Sequence, residues 1–341
     1  LPDEEQNAST AIDEFADDLA EYSRDPARFV AVAFEERPRE FQARILADIR
    51  DHLQDPGTRF MPCRIAVASG HGIRKTALMA MLTVWALSTC EDARVEATAG
   101  TGQQLFTKTL PELQAWVNRS INSDWFEIQA RSIRVKESPA SWRADFLTWE
   151  EANPQAFAGL HNYRKRILIL FDEACTIPQQ VWEAKFGTFT DPETEIIMLA
   201  FSQEENAHSY FSTLFGNASW KSYGIDARDV EGTNKALFDE WAQEYGEDSD
   251  FFRVRVRGLA PRASETQFID RGRIEAAQAR RPLVLEDEPL VAGVDMAWGG
   301  DDNNVVRFRR GLDAYTFPAI KLLGEMTRDP AVMVSLLSDV F

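Results

Sequence analysis

Three cysteines, four histidines and no long apolar run set the first limits on this chain of 341 residues. Cys63, Cys90 and Cys175 are odd in number and far apart, with no C-x-x-C pair, which argues against a disulfide framework. They read as reduced core thiols of an intracellular protein. The histidines are scattered and suggest no zinc site. Nothing approaches the roughly eighteen consecutive apolar residues of a membrane helix. The opening Leu1-Pro2-Asp3-Glu4-Glu5 is acidic and lacks the apolar core of a secretory signal. Internal repeats and low-complexity segments are missing as well.

Positive charge is also short. Thirty-seven Lys and Arg face 55 Asp and Glu, a net charge of −18. That argues against a protein held on DNA by bulk electrostatics, because nonspecific affinity comes from neutralising phosphates. A local basic channel stays open. Its candidate patches are Arg164-Lys165-Arg166, Arg253-Val254-Arg255-Val256-Arg257 and Arg307-Phe308-Arg309-Arg310. Taken singly, each is better read as solvated surface charge.

What is present is an α/β rhythm on a chain long enough for two domains. Residues 1–60 are acidic and helical in pattern, with Phe41, Ile45, Leu46 and Ile49 near helix spacing. Short apolar strands follow, expected at 64–68, 94–98, 132–135, 145–149, 167–171 and 195–201. They alternate with helices expected at 75–88, 103–118, 178–186 and 235–245. This alternation predicts a mainly parallel sheet over 61–257. Residues 258–289 turn polar and carry prolines, as an interdomain linker does. A new apolar strand then opens at Leu290-Val291-Ala292-Gly293-Val294 and ends in Asp295. A Gly299-Gly300-Asp301-Asp302 turn and a second strand at 304–309 follow. The chain stops at Phe341 inside an apolar helix-like stretch, so 290–341 is expected to be the incomplete start of a second domain.

Within the first domain, Ser69-Gly70-His71-Gly72-Ile73-Arg74-Lys75-Thr76 joins an apolar strand to an apolar helix. A strand, a glycine-bearing loop and a helix N-terminus in that order hold a nucleoside triphosphate such as ATP. Lys75 would neutralise the β/γ charge and the Thr76 hydroxyl would sit on Mg²⁺. The pattern G-x-x-x-x-G-K-[ST] departs at both glycine places, which hold Ser69 and Arg74. Arg74 could add a cation to the γ-phosphate or crowd the loop, and crowding is the stronger expectation because glycine's small size and positive φ are both lost. A second support is Arg166-Ile167-Leu168-Ile169-Leu170-Phe171-Asp172-Glu173, an apolar strand ending in two carboxylates. Asp172 would bind Mg²⁺ and Glu173 would polarise the attacking water. The bland alternative is a buried strand followed by a helix-capping Asp.

In this order the motifs resemble the large terminase subunit of tailed bacteriophages and prophages, a DNA-packaging ATPase with a fused nuclease. Phe41-Gln42 looks like that family's adenine-contacting motif. Thr98-Ala99-Gly100-Thr101-Gly102-Gln103-Gln104, Asn153-Pro154-Gln155-Ala156-Phe157-Ala158-Gly159-Leu160-His161, Ile225-Asp226-Ala227-Arg228-Asp229-Val230 and Phe252-Arg253-Val254-Arg255-Val256-Arg257-Gly258 resemble further family segments. The resemblance implies a P-loop NTPase domain followed by the start of an RNase H-like nuclease, in which Asp295 binds a catalytic Mg²⁺ or Mn²⁺. A turn-forming Asp is the alternative reading of Asp295. Ser202 or Gln203 would be the coupling residue that senses the γ-phosphate. Implied partners are double-stranded DNA, a small terminase subunit and a portal protein, with a homo-oligomeric ring during packaging, no membrane, and action in the host cytoplasm. Two other readings stay open, a non-catalytic prophage remnant and a helicase-like ATPase.

Overall fold

Alternate side chains of strand β1 (Cys63–Ser69) enter two separate apolar cores, Ile65 and Val67 on one side and Ala66 and Ala68 on the other. Strands β6 (Arg166–Phe171) and β7 (Glu195–Ser202) do the same. Leu168, Leu170, Ile197 and Leu199 point one way, and Ile167, Ile169, Ile196 and Met198 the other. A strand covered on both faces reads as a continuous hydrophobic run, which is why these segments were visible in the sequence. The computed structural model describes residues 18–34, 36–150, 159–262, 277, 279–280, 287–297, 302–327 and 329–340. They divide into two units, Leu1–Phe268 and Ile269–Phe341.

The larger unit carries an eight-stranded sheet. Its other strands are β2 (Arg94–Thr98), β3 (Phe126–Gln129), β4 (Ser132–Val135), β5 (Arg143–Phe146) and β8 (Lys221–Ile225), and the spatial order is β3-β4-β5-β2-β6-β7-β1-β8. From β5 to β8 every pairing is parallel, and β3 and β4 extend the sheet antiparallel. The α/β class with a mainly parallel sheet is as expected. Strands β3 and β8 were not, and both lie at sheet edges. β8 is half polar and carries Gly224, so neither run nor alternation marks it.

Among its described residues this unit has six helices of eight residues or more: α1 (Pro26–Ala33), α2 (Glu40–Gln54), α3 (Lys75–Thr89), α4 (Leu110–Arg119), α5 (Gln179–Phe186) and α6 (Lys235–Tyr245). Every residue of α3 from Ala77 to Ser88 is buried, in keeping with its lack of a polar face. The single helix expected over 103–118 is broken by a π-helical turn, Leu105–Thr109. Pro111 explains the break. It has no N–H to give the carbonyl of Thr107, and its ring crowds that carbonyl, so the backbone widens one turn earlier.

The basic run 164–166 is not one solvated patch. Arg164 is exposed and pairs with Glu193 at 2.7 Å. Arg166 is completely buried, stacked over the Trp85 ring at 4.1 Å. Its guanidinium donates to Glu195 at 2.7 Å and to the Ser23 carbonyl at 2.6 Å. Arg166 opens β6 on the face of Leu168 and Leu170, which takes its side chain into a core, whereas Arg164 precedes the strand.

The smaller unit holds an antiparallel sheet, β11-β10-β9, formed by β9 (Leu290–Asp295), β10 (Asn303–Arg310) and β11 (Ile320–Leu323), followed by helix α7 (Pro330–Val340). Along β10, Asn304, Val306 and Phe308 are buried while Arg307 and Arg309 are exposed, so that basic run is surface charge. The expected turn residues Gly299, Gly300 and Asp301, residues 153–158, residues 1–17 and most of the expected linker lie outside the described residues.

Candidate nucleotide site

The loop from Ser69 to Thr76 leaves the C-terminal end of β1 and enters α3. It turns through two left-handed residues, Gly72 at φ 73° and Arg74 at φ 65°. Glycine takes this conformation freely, whereas a Cβ there costs about 1–2 kcal/mol. Arg74 thus keeps the backbone shape that the pattern's glycine normally provides. Its side chain does not fill the loop, contrary to the expected crowding. It is 53% exposed and points at Glu36, 3.5 Å away. The Arg74 carbonyl accepts from Gln42 Nε2 at 3.2 Å, and Gln42 Oε1 accepts from the Arg39 N–H at 2.9 Å. Buried Gln42 therefore braces the loop from the first turn of α2. No side chain caps α3, so its first N–H groups remain available to an anion.

The remaining loop residues are packed closely. Ser69 and Ile73 are buried, and the Ser69 hydroxyl turns to the Gly70 carbonyl at 3.2 Å. A Cβ on Gly70 would stand 2.3 Å from the Val256 carbonyl oxygen, so only glycine fits. The overlying segment is a second π-helical turn, Arg253–Arg257, ended by left-handed Gly258. Thr76 lies in the first turn of α3.

Asp172 and Glu173 follow β6, which is separated from β1 only by β7. At about 4.8 Å per strand, loop and carboxylates are roughly 10 Å apart at the C-terminal ends of the parallel strands. Asp172 is buried and accepts two bonds, from the Thr109 hydroxyl at 2.8 Å and from the Glu173 N–H at 3.0 Å. Thr109 is the last residue of the π-helical turn that breaks the expected helix. Glu173 is half-buried and left-handed at φ 52°, a strained state that tends to cluster at functional sites. Burial, then the charge of Asp172, pushes its carboxyl above the usual range. Lys75 is displaced the other way. Burial lowers its ammonium, and Asp172 and Glu173 oppose that. Among the described residues it makes no ion pair within 4 Å.

Ser202 and Gln203, the two candidate coupling residues, part company. Ser202 is buried at the end of β7, where its hydroxyl accepts from the Cys175 N–H at 3.1 Å and donates to the Gln203 carbonyl at 2.8 Å. Gln203 reaches the loop and meets His71 Nδ1. Beside the loop opens a cavity of about 630 Å³ lined by Arg39, Phe41, Arg44, Ile225, Asp226 and Arg228 among others. The Gly70 N–H donates to the Ile225 carbonyl at its rim, 3.2 Å away.

A cation would find Thr76 and Asp172 here. A hydroxyl and a carboxylate suit Mg²⁺, which takes its other oxygens from phosphates and water and needs no protein cage. No cluster of three or more His, Cys, Asp or Glu poised for a metal occurs among the described residues. Asp295 stands in the smaller unit at the end of β9, in register with Val305. The apolar strand is largely exposed, and β9 is the edge of its three-stranded sheet. Asp302 is exposed as well.

No family model matches the chain. In sequence it is 21% identical over 263 residues to a protein of Enterobacteria phage P7 named "Probable terminase, large subunit". That match takes in 71% of this chain and 51% of the phage protein, so the chain spans about half the length of the curated relative it matches. In fold it is similar to the HK97 bacteriophage large terminase, with a TM-score of 0.53 and 13% identity over 88% of this chain and 67% of that one. The chain resembles phage large terminases. A second large terminase, from a thermophilic bacteriophage and solved in complex with ADP, gives a TM-score of 0.50 at 12% identity, over 89% of this chain and 73% of that one. No helix among the described residues is long and apolar enough to cross a membrane.

Two residues at the candidate site were not singled out from the sequence as parts of it: Thr109, which holds Asp172, and Arg255, which meets the loop at His71. Pro111 next to Thr109 was the only local signal.

Proposed function

We propose that the larger unit binds and hydrolyses ATP with Mg²⁺, and that the protein is the large subunit of a DNA-packaging terminase. The observation that carries this reading is the juxtaposition of Lys75, without an ion pair among the described residues and at an uncapped helix N-terminus, with Asp172 and Glu173 at the end of the strand one beyond β7. The loop N–H groups and Lys75 receive the β- and γ-phosphates. Mg²⁺ held by Thr76 and Asp172 would supply further neutralisation of phosphate charge. Glu173 accepts a proton from the attacking water, a task suited to a carboxyl whose pKa is raised. The nucleoside lies toward the cavity beside Phe41 and Ile225. Gln42 acts by bracing the loop.

Likeness to the phage P7 protein supports the wider assignment. Duplex DNA is the substrate moved into a prohead, a small terminase subunit and a portal protein are partners, the working form is a ring, and the site of action is the host cytoplasm. Residues 61–257 form the ATPase domain after an N-terminal segment (1–60), 258–289 the linker, and 290–341 belong to an RNase H-like nuclease. Asp295 is one of its carboxylates for Mg²⁺ or Mn²⁺.

The purified chain should hydrolyse ATP, and EDTA should abolish turnover. The left-handed Arg74 gives a second reading a foothold, that of a subunit which keeps the fold without using ATP. Absence of nucleotide binding, restored by Arg74→Gly, would favour that reading. Thr109→Val should raise the Mg²⁺ concentration needed for half-maximal turnover about tenfold, since partners of metal-binding carboxylates are worth about 10–100-fold in metal affinity. Thr109→Ser should restore it. A Mg²⁺ titration unchanged in Thr109→Val would show that the hydroxyl does not position Asp172.

A further inference from the structure

The arginines of the π-helical turn Arg253–Arg257 go three different ways. Arg253 Nε donates to the Ala260 carbonyl at 3.1 Å, and Arg257 pairs with Asp248 at 3.1 Å. Arg255 alone turns to the phosphate loop. Its Nη1 donates to His71 Nε2 at 2.7 Å, and its guanidinium lies 5.5 Å from the Phe251 ring. Among the described residues no carboxylate stands within 4 Å of it. The backbone joins the two segments as well, because the His71 N–H donates to the Arg255 carbonyl at 2.8 Å.

The chemistry of His71 follows from these partners. A guanidinium can only donate, so Nε2 is the acceptor and the ring proton sits on Nδ1. Gln203, whose amide nitrogen is placed against Nδ1, then turns its amide over so that the oxygen accepts that proton. The imidazole is neutral, since burial, Arg255 and Lys75 together pull its pKa down to about 4. Arg255 is therefore a half-buried cation whose side-chain partner carries no charge. A phosphate oxygen is a far better acceptor for it, by charge and by the fit of a planar fork to two oxygens.

We infer that Arg255 is a second phosphate-side cation of the nucleotide site, supplied by the same chain, which exchanges His71 for the terminal phosphate of a bound nucleoside triphosphate. This rests on the ATPase reading and assigns its γ-phosphate contact to a residue far from the loop in sequence. His71, released, keeps its bond to Gln203 at the end of β7. The turn that carries Arg255 overlies Gly70 and continues into 258–262, so the exchange shifts a segment that directly follows the site in the chain.

The full chain, Arg255→Gln and Arg255→Lys serve as the test, with Mg²⁺-ATPγS and Mg²⁺-ADP affinities measured by calorimetry. Loss of a charge-assisted bond to the γ-phosphate should weaken ATPγS binding by about tenfold or more in Arg255→Gln. ADP affinity should stay within about twofold, since ADP lacks that phosphate, and Arg255→Lys should fall between. Hydrogen exchange over 253–262 should respond to ATPγS in the unaltered chain and not in Arg255→Gln at saturating nucleotide. Equal ATPγS affinity in all three chains would overturn the inference. So would parallel loss of ATPγS and ADP in both variants, which marks a structural role. An unaltered chain that binds neither nucleotide would instead sink the ATPase reading, and this inference with it.

Discussion

Glu173→Gln should reduce single-turnover ATP hydrolysis by about 10²–10⁴-fold, the usual share of a positioned general base. Nucleotide affinity should persist, because the loop N–H groups and Lys75 are untouched and one negative charge near the phosphates is gone. Turnover in the unaltered chain should also carry a pH limb. Burial and Asp172 raise the Glu173 carboxyl, so the acid side of the profile should fall through a value above the ordinary carboxylate range. Glu173→Gln should lose that limb along with the rate. Undiminished turnover in the variant would remove Glu173 from the reaction and leave its left-handed backbone unexplained.

The second large effect concerns stability. Glu195→Gln should destabilise the larger unit by about 3–5 kcal/mol, the range for breaking a buried ion pair from one side. Arg166 has no access to solvent, and Glu195 binds it at 2.7 Å while also accepting from Arg59 at 2.7 Å. Without the carboxylate, a guanidinium stays buried beside Trp85 with only neutral acceptors. Urea denaturation checks this, and the double variant Arg166→Met/Glu195→Leu should recover part of the loss by removing both charges. A change under about 1 kcal/mol in Glu195→Gln would contradict the account. The pair also predicts acid sensitivity. Burial raises the Glu195 carboxyl, but Arg166 and Arg59 outweigh burial and hold it below the usual range. Its stabilisation is complete above the unfolded carboxylate pKa and is lost as pH falls through the depressed folded value.

Much of the site was legible because its parts are contiguous. Ser69 to Thr76 sits between an apolar strand and an apolar helix, and Asp172-Glu173 ends an apolar strand. Each signal is a short stretch whose neighbours state its context. Arg166 and Arg255 were not legible. Both stood in basic runs that look alike in one dimension, and both proved to be single arginines turned inward. Thr109 lay in what read as an uninterrupted helix, and only the register change at Pro111 turned its hydroxyl to Asp172.

By itself, then, the sequence determined the alternation of strands and helices, the phosphate loop, the carboxylate pair and the resemblance to large terminases, since these depend on local order and burial pattern. The tertiary structure alone decided that Arg74 keeps the loop's left-handed turn while its side chain leaves. It alone decided that Arg255 meets His71 from 184 residues away, and that Thr109 holds Asp172 across 63. Such pairs form because β2 lies beside β6 and a late segment folds back over the loop. Strand order and chain return are properties of the whole core, and no window of neighbouring residues contains them.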